Sequence, residues 1–80
     1  MPRDERLFEE AEGFLELELP EAAERSLRRI SAEGQEKSAY LFHSLMGEAL
    51  RQCSRHEEAI PQFRDAKRLR PGELGNYVNL

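Results

Sequence analysis

The 80-residue chain contains no tryptophan and a single cysteine, Cys53, so no intramolecular disulfide can form and a reducing cytoplasm is the expected setting. No apolar run approaches the roughly 18 residues of a membrane span. The opening Met-Pro-Arg-Asp-Glu-Arg lacks the apolar segment of a signal peptide. Glycine is sparse too: Gly34, Gly72 and Gly75 are scattered and form no phosphate-binding loop. Catalytic groupings are missing as well. Ser44 is next to His43, so on a helix the two face different ways and assemble no nucleophile and base. Cys53 and His56 would need two further ligands to hold a metal, and the glutamates do not fall in a calcium-loop pattern. A chain this short buries only about 60–65% of its unfolded surface. One small domain is expected, with no enzyme activity, no cofactor and no metal.

What is present is charge, unevenly spread. The net charge is −4, yet between Glu5 and Leu19 the acids Glu5, Glu9, Glu10, Glu12, Glu16 and Glu18 face Arg6 alone. Bases gather later, as Arg25, Arg28 and Arg29, then as Arg64, Lys67, Arg68 and Arg70. Both groups fall in the last turns of expected helices, where a cation complements the negative end of the helix dipole. They are read as helix-end charges, and neither a nucleic-acid nor a membrane partner is expected.

Apolar residues recur at helical spacing in four stretches. The first helix is expected from about Asp4, as N-cap, to Leu17, with Leu7, Ala11, Phe14 and Leu15 on one face and Phe8 off it. The second runs from Pro20 to about Ala32 through Ala23, Leu27 and Ile30, with Gly34 closing it. The third, about Ser38 to Gln52, carries Tyr40, Leu41, Leu45, Met46, Ala49, Leu50 and Cys53, with Gly47 at a tight crossing. The fourth runs from about Arg55 to Leu69 through Ala59, Phe63, Ala66 and Leu69. Ser54-Arg55-His56-Glu57 has the form of a capping box before it. Pro61, inside that helix, predicts a kink or widened turn over Glu57 to Pro61. His43 is expected as a hydrogen-bonded core imidazole and Cys53 as a small buried hydrophobe.

The pattern repeats. At an offset of 36 residues Leu7 falls on His43, Ala11 on Gly47, Phe14 on Leu50, Ala23 on Ala59, Leu27 on Phe63 and Ile30 on Ala66. The order small, large apolar, Ala, aromatic, Ala, Pro, carried by Gly47, Leu50, Ala59, Phe63, Ala66 and Pro71, resembles the tetratricopeptide repeat. His43 departs from it where the family places a large apolar residue. The earlier copy departs further, with Ile30 for the second Ala, Gln35 for the Pro, and a period about two residues longer than the family's 34. The extra residues fall in the polar run from Ala32 to Lys37.

The resemblance implies an all-α, right-handed α-solenoid of two stacked helical hairpins plus the start of a third repeat. The whole chain, 1–80, is then a single domain, with repeats at about 4–37 and 40–73 and a partial third repeat or cap at 74–80. It implies a protein-binding scaffold whose first helices line a concave groove. Carried over by family spacing, the groove residues are Glu5, Phe8, Glu12, Leu15 and Glu16, then Leu41, Ser44, Glu48, Arg51 and Gln52. Chaperone-binding members of the family clamp a terminal carboxylate, but the matching positions here are Phe8, Glu12, Leu45, Gly75 and Asn79, which do not form that clamp. The acidic groove implies instead a basic, partly apolar peptide or helix. The alternative is homodimerisation through the uncapped C-terminal end, where Leu69, Leu74, Tyr77, Val78 and Leu80 lack a neighbour.

Overall fold

The computed structural model describes residues 2–71. The expected third repeat, together with Gly75 and Asn79, lies outside them. Among the described residues every regular element is a helix: α1 (Arg3–Glu16), α2 (Pro20–Arg28), α3 (Ala32–Lys37), α4 (Ala39–Gln52) and α5 (His56–Leu69). The all-α expectation holds, with one helix more than the four expected.

Helices α1 and α2 form one antiparallel pair, α4 and α5 another, and α4 packs across both α2 and α1. Polar contacts fix the directions. Asp4, at the start of α1, accepts hydrogen bonds from Ser31 just past the end of α2, at 3.1 Å from N–H and 2.6 Å from the hydroxyl. In the second pair, His43 Nδ1–H donates to Gln62 Oε1 at 2.8 Å, and the Arg70 guanidinium lies 4.8 Å from the Tyr40 ring centre. The apolar core joins Leu7, Phe8, Ala11 and Leu15 to Ala23, Leu27 and Ile30, and continues into Met46, Ala49, Leu50, Ala59 and Phe63. Leu27 is fully enclosed.

The turns inside the two pairs are built alike. Glu18 (φ 57°) and Ser54 (φ 63°) take the left-handed conformation. Around the first, Glu18 N–H donates to Leu15 O at 3.1 Å and Leu19 N–H to Phe14 O at 2.8 Å. Around the second, Ser54 N–H donates to Arg51 O and Arg55 N–H to Leu50 O, both at 2.9 Å. This is the Schellman arrangement, which satisfies the last carbonyls of a helix. The 36-residue offset of the sequence thus reappears in the backbone.

Several expected boundaries are corrected. Ser54 is not the N-cap of α5, because it is already the left-handed residue closing α4; Arg55 occupies that place and makes no side-chain cap. Asp4 is not an N-cap either: it sits inside the first turn of α1, and Pro2 precedes the helix. The second helix stops at Arg28, short of Ala32, and Gly34 lies within α3. Ser31 caps α3 by accepting from Gly34 N–H at 3.0 Å. Leu69, on the apolar stripe of α5 but expected to lack a neighbour, is 48% exposed. Helix α5 continues through Pro61, which leaves the Glu57 carbonyl without the donor that an interior residue would give it.

Candidate functional site

An open cleft of about 400 Å³ lies where α1 and α4 run side by side, with Phe63 of α5 behind it. Its walls carry Glu12, Leu15 and Glu16 from α1 and Tyr40, Leu41, Ser44, Leu45, Glu48 and Gln52 from α4. The helical spacing explains the arrangement. Ser44, Glu48 and Gln52 are successive i, i+4 positions and share one stripe, with Leu41 and Leu45 on the neighbouring stripe. Leu15 and Phe63 are core side chains whose edges reach the cleft, while Leu41 and Leu45 are half-buried. The floor is therefore apolar and the rim polar.

The α4 side of the rim is internally bonded. Arg51 donates to Glu48 through Nε at 3.0 Å and also through Nη2. Gln52 Nε2 donates to Glu48 Oε2 at 3.2 Å and, across the helices, to Leu15 O at 3.3 Å. The last contact brings the C-terminal ends of α1 and α4 together. Burial pushes the Glu48 carboxyl up, but the hydrogen bonds from Arg51 and Gln52 outweigh it and hold the group below its ordinary value. Glu12 and Glu16, both exposed, take part in no ion pair among the described residues. Two buried polar atoms of the cleft residues, Ser44 Oγ and Gln52 Oε1, have no hydrogen-bond partner.

Of the residues expected by family spacing, Glu12, Leu15, Glu16, Leu41, Ser44, Glu48 and Gln52 come together in this cleft. Arg51 lines a second hollow of about 350 Å³ with Glu18, Pro20 and Gln52. Glu5 is exposed and lies outside both. Phe8, placed in the groove by family spacing, is 6% exposed, belongs to the core and does not line the cleft. Tyr40, Leu45 and Phe63 also line the cleft; spacing gave Tyr40 and Phe63 to packing and Leu45 both to packing and to a clamp position of the family, and Phe63 reaches the cleft from α5.

Elsewhere, Glu24 of α2 is almost buried. It accepts from Arg28 Nε at 3.2 Å and from Arg55 Nη1 at 3.0 Å, and Arg55 in turn holds Glu58 through two 2.7 Å bonds. This group ties α2 of the first helix pair to Arg55 and α5 of the second. Cys53 is half-buried, and burial, with Glu21 and Glu24 nearby, pushes its thiol up, away from a reactive thiolate. Among the described residues no group of three or more His, Cys, Asp or Glu side chains is placed to hold a metal ion. No helix among them is long and apolar enough to cross a membrane. No family model, curated protein or solved structure matches the chain.

Proposed function

We propose that the chain is a tetratricopeptide-like protein-interaction module, two helical hairpins stacked as the beginning of a right-handed solenoid, which receives a partner segment in the cleft between α1 and α4. The observation that carries this reading is the cleft itself, in which an apolar floor, a polar rim and two unsatisfied buried polar atoms meet between the first helices of the two pairs. An internal 36-residue repeat with matching turns supports the solenoid, since such units stack to bury faces that one unit leaves bare.

A photoreactive residue at Ser44, compared with one at the exposed Arg64 of α5, tests the site. A protein adduct formed from Ser44 and abolished by Leu41→Asp is the expected result. Adducts formed equally from Arg64 would place binding elsewhere. A second reading, self-association, is favoured by the exposure of Ile60 (53%) and Leu69 (48%) on α5, which packs chiefly on α4. Sedimentation equilibrium at micromolar concentration separates the two: a dimer that Ile60→Glu dissociates supports the second reading.

A further inference from the structure

We infer, on the basis of the interaction role just proposed, that the cleft is selective for a partner segment presenting a lysine or arginine next to an apolar residue, and that Arg51 limits the affinity of the site. The argument begins at the C-terminal end of α1. The last turns of α2, α4 and α5 each carry at least one base, whereas that of α1 carries none. Leu15 and Glu16, in the last turn of α1 at the negative end of its dipole, line the cleft, and no base in that turn offsets it. Glu12 and Glu16 add two like charges at i, i+4 on the same side, an arrangement that is itself unfavourable for the isolated helix. Three sources of negative potential therefore converge on one wall, and a cation from outside would relieve all of them.

The rest of the cleft fits the stem and the neighbour of such a cation. Leu41 and Leu45 offer a half-buried apolar surface, which suits both the methylene chain of a lysine or arginine and an adjoining apolar side chain. Gln52 Oε1 is a buried acceptor without a donor beside that wall, and lysine and arginine are donor-only side chains. Two of the chain's own guanidinium groups already contact residues that line the cleft, from outside it. Arg51 is paired with Glu48, and Arg70 stacks on Tyr40. Arg51 thus neutralises the third carboxylate of the rim and sets a positive charge beside the incoming one, so removing it strengthens the attraction.

The test uses three short, end-capped, fluorescein-labelled peptides alternating lysine with leucine, glutamate with leucine, or lysine with serine. Each is titrated into the full chain, followed by anisotropy and by amide chemical shifts. Only the lysine–leucine peptide is expected to bind tightly, with shifts centred on Leu15, Leu41 and Leu45. Glu12→Gln with Glu16→Gln is expected to weaken binding at low salt by about two- to ten-fold and to flatten its salt dependence. Arg51→Gln is expected to tighten it by about two- to five-fold. Equal binding of the glutamate–leucine peptide at the same residues would overturn the cation selectivity while leaving the interaction role standing. Equal binding of the lysine–serine peptide would overturn the apolar half of the occupant, and unchanged or weaker binding by Arg51→Gln would overturn the part given to that residue. Shifts confined to residues around Ile60, or absent with every peptide, would overturn the proposed role of the cleft altogether.

Discussion

Glu18 and Ser54 hold a left-handed backbone that glycine adopts freely and that costs other L-residues about 1–2 kcal/mol. Ser54→Gly should therefore stabilise the chain by about 0.5–1 kcal/mol in urea denaturation, after allowance for the extra freedom of glycine in the unfolded state. Glu18→Gly should do at least as well, since it also removes an acid from the negative end of α1. The same two residues show what the sequence conceals. A Ser-x-x-Glu string reads as a helix start, but it has that meaning only if the serine is free, and here Ser54 is consumed in ending α4. Glu24 gives the second prediction at this scale. The hydrogen bond from Arg28 holds its carboxyl below the ordinary value against the opposing effect of burial, with Arg55 adding to the stabilisation of the anion. A depressed native value means that its contribution is present above the unfolded value near pH 4.5 and fades as pH falls through the native one. Glu24→Gln should cost about 1–2 kcal/mol at neutral pH, and its loss of stability below that pH should be shallower than in the parent chain. Parallel acid-denaturation curves would show that Glu24 does not contribute.

At the scale of the helix, the crossing of α4 and α5 turns on Gly47. A Cβ placed there would lie 2.8 Å from Phe63 Cε1 and 3.0 Å from Cδ1 and Cζ, and the ring has little room because it is 9% exposed. Alanine normally favours a helix over glycine by about 1 kcal/mol. Overpacking against the ring should reverse that sign, so Gly47→Ala should destabilise by about 1–2 kcal/mol net. In the first pair the matching positions are Ala11 and Leu27, alanine where the second has glycine and leucine where it has phenylalanine. Gly47→Ala combined with Phe63→Leu should then recover much of the loss, a coupling that a double-mutant cycle measures directly. These crossings were legible from spacing because each repeats a small residue opposite a large one. Helix α3 was not. It is six residues long, buries no side chain, and depends on Asp4 holding Ser31 from a distance in sequence that no local pattern reveals.

For the whole molecule, one core passes through both helix pairs, so the chain should unfold in a single transition. Leu27→Ala, at a site with no exposure, should cost about 2–5 kcal/mol by denaturant midpoint, a large fraction of the stability of so small a domain. A loss below about 0.5 kcal/mol would mean that the α2 register is wrong. Spacing located the site only in part, for a reason that belongs to this scale. Family spacing supplied Ser44, Glu48 and Gln52, which lie together in the cleft, and helical periodicity says which residues share a face. It does not say which part of that face a neighbouring helix covers. Phe8, placed in the groove by family spacing, lies in the core, while Tyr40, placed among the packing residues, reaches the cleft.

The paired exchange of Ala11 and Leu27 for Gly47 and Phe63 also constrains how one hairpin can be converted into the other by single substitutions. Starting from alanine with leucine, a first step to glycine leaves a shallow void, and the following step to phenylalanine fills it. Taking the phenylalanine step first drives a rigid ring into a methyl group. The first route descends through a loosely packed intermediate and the second climbs through a strained one, so the mutational path between the two hairpins has a preferred order. That order can be read from the relative stabilities of Phe63→Leu and Gly47→Ala, the two intermediates on those routes.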